Sequence, residues 1–358
     1  MDREMGATNT LVHKKNRFTV RREFLFALAS LAIVSTVYRD ALIAMNPAKW
    51  ATVSAWGLLM VGIVIAGGLS ERFEQMLRRL HNRDAIKATP EEFEQLLARV
   101  RQRAQKAAAI GSVLFPTILL LTYALVYAGA RWNALPTLDR VWFMGEVILE
   151  AIAARFVGRY VGRGISYGFF GKHLAGDCVK LKVIPGHSDS AAGLRPIGDF
   201  YFHQATVTAL PVAFLAFWVL VIPTWTTLWP SIDSEFALQW KNTYLVFFFL
   251  TLGIEVLAFV LPLWFVHQLM AVQKDGMQTR VDELSAKLSK LNQEPTALGQ
   301  TPDDGTERTL LIEQIASFEN LPTWALAPDV RQRFAWGNLA FLASPALQMS
   351  QTVIDAVT

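Results

Sequence analysis

The chain has 358 residues, of which 53% are hydrophobic and 18% are charged, and its mean hydropathy is +0.30. This composition argues against a compact soluble protein and favours an integral membrane protein. One cysteine excludes a disulfide within the chain and cysteine-based metal sites, and the net charge of +4 does not indicate nucleic-acid binding, because the basic residues flank apolar segments.

Six apolar segments are each close to the ~20 residues that cross a hydrocarbon core. They lie at about 24–45, 51–69, 107–129, 141–163, 205–229 and 243–268. We therefore predict an all-α integral membrane protein with six transmembrane helices. These helices form three transmembrane hairpins, at 24–69, 107–163 and 204–268.

The distribution of lysine and arginine predicts the orientation. Segments 1–23, 70–106, 164–203 and 269–358 hold 26 of the 34 basic residues, whereas the alternate loops hold only four. By the positive-inside rule, both termini and these four segments are cytoplasmic. Tryptophans at the proposed outer ends agree with this orientation: Trp50, Trp56, Trp132, Trp142, Trp225, Trp229 and Trp240. We expect a multi-pass protein of the bacterial cytoplasmic (inner) membrane.

The cytoplasmic segments are predicted to be mostly helical. Thr89-Pro90-Glu91-Glu92 is a capping box that starts a helix running unbroken into the third span, so 70–106 is predicted to be a cytoplasmic helical hairpin. The 269–358 tail is predicted to be helical, with a flexible linker at 292–308. Its heptad from Met270 to Leu291 fits either a stalk between subunits or a helix packed on its own chain.

Ionisable residues inside spans are the strongest indication of function, because each costs roughly 2.5–3.5 kcal/mol at a helix centre. The fourth span contains Glu146 and Glu150 on one face, with Arg155 and Arg159 roughly opposite. The sixth contains Glu255 near its middle, and matching depths places Glu255 level with Arg155.

Two interpretations of these charges are open. In the first, the three glutamates line a water-filled path or a proton-coupled site, and the two arginines tune its field or its anion preference. In the second, Glu255 pairs with Arg155 and the other arginines extend to the inner headgroups. Gly158 and Gly162 allow close helix approach, either between spans or between subunits.

Four prolines lie inside the spans and leave backbone carbonyls without their helical donors. Each is expected to kink its helix or, as the alternative, to act as a hinge for gating. They are Pro116, Pro211, Pro223 and Pro262.

The loop between the fourth and fifth spans is the most polar segment. His187 and Asp189 are candidate ligands for a divalent cation, with His173, Asp199 or His203 as further ligands. The alternative is a structural turn, in which Asp189 accepts hydrogen bonds from neighbouring backbone amides. A short strand is expected near Leu181, with no partner that the sequence identifies.

Two motifs in the chain resemble those of uncharacterised bacterial multi-pass membrane proteins. One is the H-x-D-x-x-x-G-L loop within Gly186-His187-Ser188-Asp189-Ser190-Ala191-Ala192-Gly193-Leu194, and the other is Leu321-Pro322-Thr323-Trp324. The resemblance implies a multi-pass membrane fold, and it carries no catalytic role onto these positions.

P-loop, dinucleotide-binding, zinc-protease and serine-hydrolase motifs are absent from the sequence. We therefore expect no enzyme and no cofactor. The first hypothesis is an oligomeric channel or permeation protein with a polar lining from spans four and six, gated from the cytoplasmic side. The second is a membrane-anchored signalling or scaffold protein whose loop and tail bind a cytoplasmic partner. Expected partners are the lipid bilayer and further copies of the chain, and nucleic acid is not expected.

Overall fold

The fold comes from a computed structural model that describes residues 21–126, 137–171, 180–189, 191–228, 234–293, 302–325 and 332. Nearly all of this part of the chain is helical. Its helices are α1 (21–37), α2 (Arg39–Ile43), α3 (Pro47–Ala66), α4 (Leu69–Asn82), α5 (Pro90–Val126), α6 (Thr137–Gly168), α7 (Arg195–Val221), α8 (Trp225–Leu228), α9 (Ser234–Glu255), α10 (Leu261–Gln293) and α11 (Pro302–Glu319).

Irregular backbone joins some of these helices. A 3-10 turn, Ile222–Thr224, links α7 to α8, and a π-helix, Val256–Val260, links α9 to α10. The two-residue strands β1 (Ile86–Lys87) and β2 (Lys180–Leu181) pair antiparallel. The strand expected near Leu181 is therefore present, and its partner is the connection between α4 and α5.

Four helical segments of the described residues are long and apolar enough to cross a membrane. They are Pro47–Asn82, Pro90–Leu125, Arg195–Leu228 and Ala237–Leu291. The two other predicted spans fall on α1 and on α6, which carries the charged residues of the predicted fourth span. The count of six spans and the orientation stay predictions.

The α9 to α10 segment extends well beyond any bilayer. Its 55 residues from Ala237 to Leu291 would measure roughly 80 Å at 1.5 Å per residue, against a hydrocarbon core of about 30 Å. The protruding part of α10 packs antiparallel to α11. Lys287 binds Glu307 at 2.7 Å, and Arg308 donates to the carbonyl of Leu291 at 2.6 Å. The heptad thus packs against its own chain in this structure.

The flexible linker predicted at 292–308 is partly wrong. Residues 292–293 end α10 and residues 302–308 begin α11, while 294–301 lie outside the described residues. The prolines, glycines and polar residues of this segment suggested a linker, but Pro302 is compatible with the first turn of a helix. Nearly all of 326–358 also lies outside the described residues.

The largest hydrophobic core lies at one end of the helices. It joins α4, the first part of α5, the end of α6, residues 181–201, the start of α10 and residues 321–325. The first half of α5 runs antiparallel to α4, and Arg101 binds Glu74 through two hydrogen bonds of 2.6 Å. Segments that are far apart in sequence therefore form one folded unit at this end of the protein.

The expected start of α5 is confirmed. The backbone N–H of Thr89 donates to the Glu92 carboxylate at 2.8 Å, and the N–H of Glu92 donates to the Thr89 hydroxyl at 3.3 Å. This reciprocal capping box satisfies two backbone donors. The helix then continues unbroken to Val126.

A second core, rich in tryptophan, lies towards the other end of the bundle. Trp225 is fully buried there against Trp218 and α3, and Trp56 is also buried. Neighbouring helices cover these two indoles, whereas Trp50 and Trp142 are 42% and 49% exposed. The headgroup level of the tryptophans stays a prediction.

Helices α5 and α6 pack most closely, through small residues. A Cβ atom on Gly158 would lie 2.1 Å from the carbonyl oxygen of Gly111, and one on Gly162 would lie 2.2 Å from that of Ala107. The close approach expected of Gly158 and Gly162 is therefore between two helices of one chain.

Candidate functional site

Each of the two glutamates of α6 accepts a hydrogen bond from a tyrosine outside α6. Tyr38, which directly follows α1, donates its hydroxyl to the carboxylate of Glu146. Tyr123 of α5 donates its hydroxyl to the carboxylate of Glu150. The ammonium of Lys49 lies 3.8 Å from the centre of the Tyr38 ring. Glu146 therefore belongs to a polar group formed by α1, α3 and α6.

A third carboxylate, Glu23, completes the acidic groups around α6. Only 4% of Glu23 is exposed. It accepts a hydrogen bond from Arg159 at 2.9 Å and another from the Tyr160 hydroxyl. Sequence reasoning assigned Glu23 to the basic terminal segment and missed this role, although a lone carboxylate beside an apolar run was a usable signal.

The remaining arginines of α6 differ from Arg159. Arg155 is exposed on the outside of the helix, and Arg163 lies 6.0 Å from the centre of the Tyr160 ring. The structure brings Arg159 to a carboxylate, but to Glu23 and to none of the three predicted glutamates.

Glu255 is 2% exposed, and neither of its carboxylate oxygens has a hydrogen-bond partner in the described part of the chain. The pairing with Arg155 that one of the two interpretations expected is therefore not formed. The predicted depth is wrong as well, because Ala258, one turn after Glu255, is bridged to Gly164 of α6 by Gln204. Glu255 consequently lies nearer the end of α6 than Arg155. Counting from the ends of each span failed because the two helices are offset.

Irregular backbone directly follows Glu255. The π-helix Val256–Val260 ends just before Pro262, which has no backbone N–H to donate. Gln204 of α7 binds this irregular segment: its amide nitrogen donates to Ala258 O at 2.7 Å and to Gly164 O at 3.0 Å. The amide oxygen of Gln204 is buried and has no partner among the described residues.

A cavity of about 310 Å³ lies between α3, α5, α6, α7 and α9, and most of its wall is apolar. Glu150 lines it from α6, Tyr123 lines it from α5, and α9 contributes Gln239, Thr243 and Tyr244. A carboxylate, an amide and several hydroxyls thus interrupt the apolar lining of this cavity. Among the described residues that line the cavity, Tyr123 and Glu150 form the only hydrogen bond between a side-chain donor and a carboxylate.

A second cavity, of about 250 Å³, follows the same helices towards the end that carries the large core. Its walls are mainly apolar, with polar groups from Tyr160, Gln204, Thr208 and Thr251. Ala55 lines both cavities. The two spaces are therefore neighbours along the length of the bundle.

The His187 loop adopts the turn that was the alternative to a ligand site. Asp189 accepts hydrogen bonds from the N–H groups of Ala191 and Gly193 at 3.1 and 2.9 Å, and its other oxygen binds Arg83 at 2.9 Å. His187 Nδ1 lies 3.1 Å from Asp189. Burial raises the pKa of Asp189, but the backbone hydrogen bonds and His187 outweigh burial, so the pKa is lowered.

The further ligands proposed for this loop do not join it in the structure. Asp199 lies 3.9 Å from Arg195 in an exposed ion pair, and His203 lies on α7 near Arg72 and Ile65. His173 lies outside the described residues. Within the ranges that the structure covers, no group of three or more His, Cys, Asp or Glu side chains could hold a metal ion.

The second motif, Leu321-Pro322-Thr323-Trp324, docks against α10. The Trp324 ring stacks on His267 at 4.2 Å between centroids, and His267 Nδ1 donates to Thr323 O at 2.7 Å. Leu321 enters the same core as Leu194 of the His187 loop. The two motifs, about 130 residues apart in the sequence numbering, therefore belong to one folded unit.

Comparison with known proteins adds no functional assignment, since no protein-family model, curated protein or solved structure matches the chain.

Proposed function

We propose that the protein is an oligomeric channel or permeation protein of the bacterial inner membrane. Its polar lining comes from the predicted fourth and sixth spans, and its gate is on the cytoplasmic side. The observation that carries this proposal is the 310 Å³ cavity that Glu150 lines together with polar residues of α9. Polar groups inside an apolar helical bundle are costly unless water, a partner or a substrate satisfies them.

The second cavity supports a path rather than an isolated pocket. It adjoins the first at Ala55 and continues towards the large core, which includes the ends of α6 and α4 and the start of α7. A displacement within that core would be transmitted directly to helices that line both cavities. This connection is the reason for placing the gate at that end.

The proposal is tested by ion flux into liposomes that contain the purified full chain. Glu150→Gln removes the charge from the cavity, and we expect it to lower flux at least tenfold. Glu283→Gln, at an exposed position of α10, removes the same charge elsewhere and should leave flux unchanged. Equal flux in the wild type, both variants and empty liposomes would refute the proposal.

A steric variant provides an independent test. Ala55→Phe fills the junction between the two cavities without changing charge, and we expect it to block flux. Ala124→Phe adds the same side chain at an exposed position of α5 and serves as the matched control. Unaltered flux through a folded Ala55→Phe protein would exclude this route.

A signalling or scaffold protein is the second candidate. The docked tail favours it, because α11 presents Leu310 and Ile312 at 52% and 55% exposure while the following motif anchors it to α10. In this candidate, the pairing of Glu23, Glu146 and Glu150 is purely structural. It would be preferred if the purified protein supports no flux and deletion of the tail abolishes a cellular phenotype.

A further inference from the structure

Among the ionisable residues that the structure describes, Glu255 has the most unusual surroundings. It is 2% exposed, and both carboxylate oxygens lack a hydrogen-bond partner among the described residues. By contrast, Glu23, Glu146 and Glu150 each accept a hydrogen bond from a tyrosine. Glu255 therefore calls for a different explanation from the other three.

A buried carboxylate without partners cannot remain charged cheaply. Transfer of an isolated carboxylate into a low-dielectric interior is so costly that such groups are neutralised or paired instead. Among the described residues, no cationic side chain interacts with Glu255. Neutralisation must therefore come from a bound proton or from a small cation.

The titratable groups on the elements packed around Glu255 have other contacts. On α6, Arg159 and Tyr160 bind Glu23, and Arg163 lies 6.0 Å from the centre of the Tyr160 ring. Tyr167 of α6 donates to Ser70, Tyr201 of α7 donates to Tyr167 O, and His267 of α10 donates to Thr323 O. His203 of α7 lies near Arg72 and Ile65. None of these contacts reaches the Glu255 carboxylate.

The packing of α9 against α7 gives the level of Glu255 in the bundle. Phe248 and Leu252 of α9 pack against Val212 and Leu215 of the antiparallel α7, and Ala258 is bound by Gln204. Glu255 therefore lies at the level of Thr208, between these two contacts.

A cavity and a second unpartnered oxygen lie next to the helical turn that carries Glu255. The 250 Å³ cavity is lined by Gln204, Thr208 and Thr251, and by Ile254 and Ala258, which flank Glu255 in sequence, whereas Glu255 is not among its lining residues. The buried amide oxygen of Gln204 has no partner in the described ranges. Oxygen acceptors without donors suit a cation and disfavour an anion.

We propose that Glu255, with Gln204 and the π-helix beside it, forms a binding site for a monovalent cation, either H⁺ or Na⁺. The inference rests on the proposed permeation function and names the class of ion that this function handles. When the site is empty of Na⁺, the carboxyl group carries a proton, and Na⁺ binding releases that proton to water. Charge is thereby balanced in both states.

The test uses the purified full chain in nanodiscs. Infrared difference spectra report the protonated carboxyl band as pH is varied, and radioactive Na⁺ reports sodium binding. We expect Glu255→Gln to remove the pH-dependent band, or to weaken Na⁺ binding at least tenfold, and Glu283→Gln to change neither. If the protein binds Na⁺ and acid displaces it, the ligand is Na⁺. If the carboxyl band changes with pH but no Na⁺ binds, the ligand is H⁺.

Two outcomes would overturn the inference: a wild-type protein with neither signal, or a folded Glu255→Gln protein with both signals unchanged. Glu255→Asp retains a carboxyl group and should restore the signal with altered affinity, so it decides the case if the glutamine variant does not fold. Ion binding without flux would reject only the proposed permeation function. Flux that depends on Glu150 without binding at Glu255 would reject only this inference.

Discussion

Replacement of Gly158 by alanine tests the closest helix contact in the structure. The added Cβ would lie 2.1 Å from the carbonyl oxygen of Gly111. The obstacle is backbone, which cannot rotate away as a side chain can, so α5 and α6 must separate locally by about 1 Å. Overpacking of this kind costs about 1–3 kcal/mol, and we expect a loss of about 2 kcal/mol in the free energy of unfolding.

Gly145 provides the matched control on the same helix. A Cβ there would meet nothing within 4 Å, and alanine has the higher helix propensity by about 1 kcal/mol. Gly145→Ala should therefore be neutral or slightly stabilising. Both variants are compared by equilibrium unfolding in mixed micelles, with tryptophan fluorescence as the signal.

Equal unfolding free energies for the two variants would refute the crossing of α5 and α6 at this point. Gly162→Ala, whose Cβ would lie 2.2 Å from Ala107 O, should behave like Gly158→Ala. Because the contact lies within one chain, both losses should occur without a change in the mass of the particle. A variant that lost subunits before it lost helix packing would instead support a contact between subunits.

Three further outcomes are expected from the same unfolding measurement. Thr89→Ala removes the helix cap of α5 and should cost about 1 kcal/mol. Glu23→Gln leaves Arg159 without its counter-charge and should cost about 1–3 kcal/mol, part of which a simultaneous Arg159→Met change recovers. Because the pKa of Asp189 is lowered, its contribution is present above the ordinary value of 3.8 and is lost in more acidic solution. Asp189→Asn should therefore make stability less sensitive to acid, and an unchanged acid profile would contradict this.

Features set by short stretches of sequence were predictable. The cap at Thr89 is specified by four consecutive residues, and it was found where expected. The close packing of Gly158 and Gly162 follows from helix periodicity alone, because residues four apart share one face. Which helix they contact was left open, since periodicity identifies a face and not its partner.

Features set by contacts between distant segments were not predictable. Glu23 and Arg159 are 136 residues apart, and nothing in either local sequence connects them. The predicted level of Glu255 was wrong. Counting from the ends of two spans gives the relative level of their residues only when the two helices start at the same level. The partner of β2 was likewise hidden, since the β1 segment of two residues has no strand pattern of its own.

Pro262, Gln204 and Glu255 illustrate why irregular structure is informative inside an apolar bundle. Proline removes one backbone donor, and a buried carbonyl cannot be left unsatisfied where water is absent. Gln204 donates one amide hydrogen to Ala258 O and the other to Gly164 O, which leaves its amide oxygen as an acceptor in the interior. A regular helix with leucine at these positions would avoid both costs. The presence of a proline, an amide and an unpaired carboxylate within about one helical turn of a cavity is therefore better explained by ion binding than by stability.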